Sequence, residues 1–429
     1  MLLFIGSVFF FFLFIGVPIA FIMGLTTLFS FMLLDNPAIY MQIPQRLYNG
    51  MSNFVLIAIP FFVMAGEVMT RTGVTKALVQ LSNCLVGHLR GGLAHVNIVA
   101  SIFFAGITGS AVSDTAAIGS VLIPAMTEEG YDLDFSAAVT AASSVIGPII
   151  PPSIPMVVYA SIMDVSLAGL FLAGFVPGVL IGIALMIIVY FMAKKRNYPV
   201  HQKRASLPEL LRAFRQSILG LILPVIILGG ILSGVFTPTE AAVIAVAYGF
   251  VIGFFVLRTL TLKDIPQIFL KTILVAAPIL FVIGTSIAFG YILAFEQIPQ
   301  KIAQLFLSIS RDVYITLLIF NILFFIAGMF MDLAVTVVIL GPVLLPTAIE
   351  LGIHPLHFAI IMCVNLIVGL ATPPVGFILF VACSITGMSM ERLCKAIWPF
   401  IAAEIVVVFV ITYFPALPLF LPKLFGFYP

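Results

Sequence analysis

Residues 147–155 read GPIIPPSIP, four prolines and a glycine set inside a chain that is otherwise composed like helices for lipid. Proline has no N–H, and its ring clashes with the carbonyl four residues back. Pro148, Pro151, Pro152 and Pro155 therefore cannot share one continuous helix. Backbone unwound at membrane depth leaves carbonyls and amides without partners, which is tolerable only where they line a cavity or hold a ligand. Carbonyls at the end of the first half-helix suit a cation, and N–H groups at the start of the second suit an anion. Residues 369–377, GLATPPVGF, offer the same chemistry a second time.

The two stretches align when the chain is shifted by 222 residues, which carries Gly147 onto Gly369. The same gapless shift carries Gly119 to Gly341, Pro124 to Pro346, Glu128 to Glu350, Gly130 to Gly352 and Pro151-Pro152 to Pro373-Pro374. Turn formers are the least interchangeable residues, so their agreement argues for a duplicated unit. Each break is preceded by an interrupted apolar element that reads as a re-entrant hairpin, too short after its interruption to span twice. In the first, Thr108, Gly109, Ser110, Ser113, Asp114 and Thr115 lie between apolar arms; in the second, Gly328, Asp332 and Thr336, with Asn321 earlier. Asp114 and Asp332 are costly in such surroundings unless they pair, cap a half-helix or approach a cation. Capping is the stronger reading for both.

The elements that position these residues follow from composition. Of 429 residues 62% are hydrophobic and 8% charged, and the mean hydropathy of +1.27 marks an integral membrane protein. Apolar runs at about 2–34, 54–69, 135–163, 167–193, 217–234, 241–257, 273–295, 314–331, 358–385 and 397–420 predict an all-α polytopic bundle rather than a barrel. The first run has no basic stretch before it and reads as a retained span. Residues 1–193 form the first copy, with its hairpin at about 93–124 and broken helix at about 134–163. Residues 194–240 are a basic connector and a linking span. Residues 241–429 are the second copy, with hairpin at about 314–346 and broken helix at about 356–385. An odd linking span turns the second copy upside down, the inverted-repeat pattern of secondary transporters.

A net charge of +2 gives no sign of nucleic-acid binding. Lys194, Lys195, Arg196, Lys203, Arg204, Arg212 and Arg215, and further on Arg258, Lys263 and Lys271, place their connectors on the cytoplasmic side. Cys84, Cys363, Cys383 and Cys394 are scattered without metal-ligand spacing, and His354 and His357 have no third ligand nearby, so no transition-metal site is expected. Thr237 and Glu240 have the spacing of a capping box with Pro238 in the first turn, a structural role. Charged pieces near 71–90 and 299–311 read as helices along the membrane surface.

In these residues the chain resembles the large membrane subunit of tripartite ATP-independent periplasmic (TRAP) transporters over nearly its full length. The likeness rests on IPFFVMAGEVM from Ile59, GGLAHVNIVASIFFAGITGSAVSD from Gly91, GPIIPPSIPMVVYA from Gly147, LFLAGFVPGVL from Leu170, TPTEAA from Thr237 and GLATPPVGFILFV from Gly369. The hairpin reads Thr108-Gly109-Ser110-Ala111 where the family more often has Gly-Ser-Ser. The resemblance implies a sodium-driven importer of organic acids in the bacterial inner membrane, working as an elevator with the architecture of the ion-transporter superfamily. It implies a small four-helix membrane subunit and a periplasmic substrate-binding protein as partners, and Na+ ions as transported species. One sodium site would draw on Gly106, Thr108, Gly109, Ser110 and Asp114 with Gly147 and Ser153. The other would use Gly328 and Asp332 with Gly369 and Thr372. Substrate would meet Pro151, Pro152, Ser153, Pro373, Pro374 and Gly376.

No catalytic residues are expected, because the chain lacks a serine elbow with a membrane histidine, a paired-aspartate motif and an HExxH helix. The closest competing reading is a self-sufficient sodium/dicarboxylate or citrate carrier of similar architecture, which would need no periplasmic partner.

Overall fold

A computed structural model describes residues 2–33, 42–199, 204–309 and 312–427. Lys203 of the basic connector, Leu34 and Arg311 lie outside the described residues. Among the described residues every regular element is helical. The helices are α1 (Leu2–Ile15), α2 (Ile19–Met32), α3 (Gln42–Met51), α4 (Ala58–Arg71), α5 (Val74–Val86), α6 (Gly92–Thr108), α7 (Ala111–Glu128), α8 (Leu133–Ser144), α9 (Ile154–Met163) and α10 (Leu167–Lys195). They continue with α11 (Leu207–Leu232), α12 (Pro238–Val251), α13 (Ile265–Phe295), α14 (Ile298–Ile309), α15 (Val313–Phe330), α16 (Leu333–Glu350), α17 (Pro355–Leu370), α18 (Phe377–Thr386), α19 (Met390–Tyr413) and α20 (Ala416–Leu424). Eight helices among the described residues are long and apolar enough to cross a membrane.

The first apolar run departs from its reading as one span. Gly16, at φ +83, and Pro18 divide it into α1 and α2 of 14 residues each. The rings of Phe12 and Phe29 stack with centroids 6.1 Å apart. In a continuous helix 17 residues would separate them by about 25 Å, so α2 folds back on α1. The hairpin arms also differ from expectation. Both α15 and α16 have 18 residues and are each long enough to span alone, and α6 and α7 have 17 and 18. The second interruption thus sits between arms long enough to span, whereas neither α6 nor α7 is among the helices long and apolar enough to do so.

Two layers of packing hold the site. On one side α13 lies against α2, α3 and α4, with α4 also against α12. On the other, α6 to α9 and α15 to α18 are wrapped by α10 and α19. Inside this second group the two copies trade partners: α9 packs on α16, and α18 on α7. The closest points are glycines. A methyl added at Gly119 would stand 3.2 Å from Ile385, and one at Gly341 would stand 2.6 Å from Met163. The 222-residue shift turns each of these contacts into the other.

The ends of these helices are tied outside the apolar region. Asp132, just before α8, accepts hydrogen bonds from the Tyr198 hydroxyl at 2.6 Å and from Arg196 at 2.7 Å, which together hold its carboxyl below the usual range. At the start of α12, Glu240 accepts from the Thr237 N–H at 2.8 Å while its own N–H donates to the Thr237 hydroxyl at 3.3 Å. Glu240→Ala is expected to lower the thermal unfolding temperature slightly and leave the sodium dependence of uptake unchanged, because the box joins only its own helix start. Parallel melting curves and sodium titrations check this.

Candidate functional site

The first helix break runs through residues 145–153, between α8 and α9. Glycine lets the tip of the α6–α7 hairpin press against it. Gly109 has φ +60, and a methyl there would stand 2.3 Å from the Pro152 carbonyl oxygen. A methyl on Gly106 would lie 2.4 Å from Pro224 of α11 and 3.8 Å from the Pro151 oxygen. One on Gly147 would meet the Ser144 oxygen at 3.1 Å, the Ser110 oxygen at 3.4 Å and Asp114 Cβ at 3.5 Å. The structure thus gathers Gly106, Gly109, Ser110 and Asp114 with Gly147, Pro151 and Pro152. The Pro151–Pro152 peptide bond is cis, as is Pro373–Pro374.

The oxygens there divide into engaged and unengaged groups. Ser110, not Asp114, caps α7: its hydroxyl accepts from the Ser113 N–H at 3.5 Å. Asp114 lies one turn further in, its own N–H already donating to the Ser110 carbonyl at 3.0 Å. Its side chain therefore cannot reach back to the first-turn amides, which corrects its reading as a cap. The Asp114 side chain is fully buried, and neither carboxylate oxygen has a hydrogen-bond partner. Ser101 and Ser144 flank it, but Ser101 donates to Ser143 at 3.1 Å and Ser144 to the Thr140 carbonyl at 2.7 Å. The buried Thr108 hydroxyl at the end of α6 is also unpartnered. Ser153 is engaged twice, donating to the Pro148 carbonyl and capping α9 through the Met156 N–H at 3.3 Å.

The second break occupies residues 371–376, between α17 and α18. Here the hairpin meets the broken helix backbone to backbone. A methyl on Gly328 would lie 2.7 Å from the Leu366 oxygen, and one on Gly369 would lie 2.6 Å from the Gly328 carbonyl carbon. Asp332 does cap α16, accepting from the Ala334 N–H at 2.9 Å. Thr372 is buried and donates to the Val368 carbonyl at 2.9 Å. Gly376, at φ +59, opens α18. The shift that aligns the copies pairs Ser110 with Asp332 and Asp114 with Thr336. Both hairpins therefore use the aligned residue as cap, and only the first carries a spare carboxylate.

Buried amides brace each hairpin. Asn97 of α6 donates to Thr140 at 2.7 Å and accepts from Ser143 at 2.9 Å. Asn321 of α15 accepts from Asn365 at 2.7 Å and from Thr412 at 3.1 Å. Sequence reasoning passed over these bonds, and it passed over Glu404, a fully buried carboxyl in α19 with no partner for either oxygen. The signal available was a lone acidic residue inside the apolar run 397–420.

Long apolar helices with paired interruptions lined by glycine, proline and buried polar groups define a multi-pass membrane protein of the transporter class. The family model described as "Tripartite ATP-independent periplasmic transporter, DctM component" matches residues 7–417, and the chain belongs to that family. It is 42% identical over 414 residues to the uncharacterized protein YgiK of Salmonella typhimurium, covering 96% of this chain and 95% of that protein. It is 39% identical to the sialic acid TRAP transporter large permease protein SiaM of Vibrio cholerae, covering 96% of each. With the C4-dicarboxylate TRAP transporter large permease protein DctM of Pseudomonas aeruginosa it shares 40% identity over 92% of each chain. In fold it is similar to the YdaH transporter of Alcanivorax borkumensis, with a TM-score of 0.64 at 15% identity over 90% of this chain and 91% of that one.

Proposed function

We propose that this chain is the large membrane subunit of a sodium-driven importer of organic acids in the bacterial inner membrane, acting with a small four-helix membrane subunit and a periplasmic binding protein. The observation that carries the reading is the Asp114 carboxylate, buried and unpartnered against the unwound Gly147 segment. A charge so placed needs a cation, and carboxylate, hydroxyl and carbonyl oxygens are hard donors that suit sodium. Gly106, Thr108, Gly109, Ser110 and Asp114 with Gly147 and Ser153 form one sodium site; Gly328 and Asp332 with Gly369 and Thr372 form the other. No lysine or arginine lies in either break. The acid, held at Pro151, Pro152, Ser153, Pro373, Pro374 and Gly376, is therefore countered by the N-termini of α9 and α18 and by the bound cations. That makes acid uptake depend on sodium.

The exchange of partners between Gly119–Ile385 and Gly341–Met163 supports a two-fold relation between the copies, which we read as an inverted repeat, with the boundaries near residues 193 and 240 resting on the sequence alone. Alternating access is elevator-like, with the broken helices and hairpins moving as one part. Related permeases named for sialic acid, C4-dicarboxylates and isethionate, two of them carboxylates and one a sulfonate, support an organic anion as the substrate class. The test is uptake into vesicles holding this chain and the small subunit, with the cognate binding protein outside. Uptake is expected only with an inward sodium gradient and all three components. Full-rate uptake by this chain alone would identify a self-sufficient carrier, and uptake driven by protons without sodium would overturn the coupling.

A further inference from the structure

We propose that Glu404 is a proton-binding site, set in the helix that packs on the first arms of both broken helices and separate from the sodium sites. It lies in the middle of α19, which packs on α8 and α17, the first arms of both broken helices, and on α10, α15 and α18. Phe400, one turn earlier, meets the Phe135 ring of α8 with centroids 5.9 Å apart. Two turns later the Ile411 carbonyl accepts from His357 of α17 at 2.9 Å. Ile397, Phe400, Ile401, Val407, Val408 and Ile411 of the same helix are buried with Glu404, so its surroundings are apolar on its own helix.

The ionisable groups of the neighbouring elements do not pair with it. Arg392 lies 4.0 Å from Asp134 of α8, and Lys395 binds Glu391 at 2.6 Å, both more than two turns away along α19. On α17, His357 is held by Ile411, and Cys363 and His354 are the other titratable groups; α18 contributes Cys383, α15 contributes Tyr314, and α10 contributes Tyr190, Lys194 and Lys195. None makes an ion pair with Glu404 among the described residues.

A buried carboxyl without hydrogen bond or counter-ion requires a cation of its own. Sodium would need several oxygens, and α19 is unbroken here, its carbonyls turned to amides four residues on. A proton needs only one oxygen, and the carboxyl itself supplies it. If the breaks move as proposed above, α8 and α17 shift against α19, and a proton on Glu404 at that boundary makes uptake respond to pH as well as sodium; that step rests on the proposed function, whereas the binding itself does not.

Infrared difference spectra of the purified protein against Glu404→Gln test the binding directly. The wild type is expected to show the C=O stretch of a protonated carboxyl at neutral pH, missing from the variant; coincident spectra would overturn the site. Should Glu404→Gln not fold, Glu404→Leu removes the carboxyl and leaves no polar atom to satisfy. In vesicles, the pH profile of uptake is expected to flatten in the variant. An unchanged profile with the band lost would show a proton that is held but not coupled, overturning the transport half. Absence of sodium-driven uptake in both proteins would count against the proposed function and leave the infrared result standing.

Discussion

Asp114→Asn is expected to weaken the sodium response of uptake sharply and to make the protein more stable in sodium-free buffer. The two effects have one cause. Asp114 is the one unpartnered carboxylate at the first break, so the amide removes the only full negative charge offered to a cation there. A rise of at least about tenfold in the sodium needed for half-maximal uptake is expected, equivalent to roughly 1.4 kcal/mol. Without sodium, the wild-type carboxyl has no hydrogen bond and must either stay charged or take up a proton, and removing that penalty stabilises by about 1–3 kcal/mol. Thermal unfolding with and without sodium separates the roles. The wild type should gain stability from sodium, and the variant should start higher and gain nothing. A variant that keeps the sodium-induced shift would remove Asp114 from the site.

Gly109→Ala should be strongly damaging, because it joins a positive φ to a backbone clash. Its φ of +60 costs a non-glycine residue about 1–2 kcal/mol. Its methyl would also stand 2.3 Å from the Pro152 oxygen, and backbone cannot swing aside as a flexible side chain can. Overpacking adds about 1–3 kcal/mol, so the tip is pushed off the break and uptake falls to background. Gly130→Ala isolates the first term, because Gly130 has φ +90 but nothing within 4 Å of the added methyl. It should lose about 1–2 kcal/mol and keep its uptake. Equal loss in both variants, measured by unfolding and by uptake per folded molecule, would show that the tip-to-break contact is unimportant.

What could be read from the chain follows the strength of each residue's local constraint. Pro148, Pro151 and Pro152 forbid a helix whatever surrounds them, so the break was legible, and Thr237 with Glu240 announced a cap because both partners lie within one turn. Asp114 was legible as an expensive residue but not as an unengaged one. Ser110 takes the cap first, and only the register of α7 decides which of the two does so. Glu404 carried too little signal because burial from every side is a property of packing, and one acid in a run that reads 397–420 as lipid-facing or core looks the same in either place. The return of α2 on α1 depends on Gly16 and Pro18 acting together, and each alone is common within membrane helices.

The traded contacts also fix an order of assembly. While the chain is being made, α9 emerges with Met163 bare, because Gly341 belongs to a helix not yet synthesised. The first half must therefore wait in the bilayer with an open flank until the second arrives to close it. Each half then acts as the other's final piece. Cut between α10 and α11, the halves should be retained only when produced together.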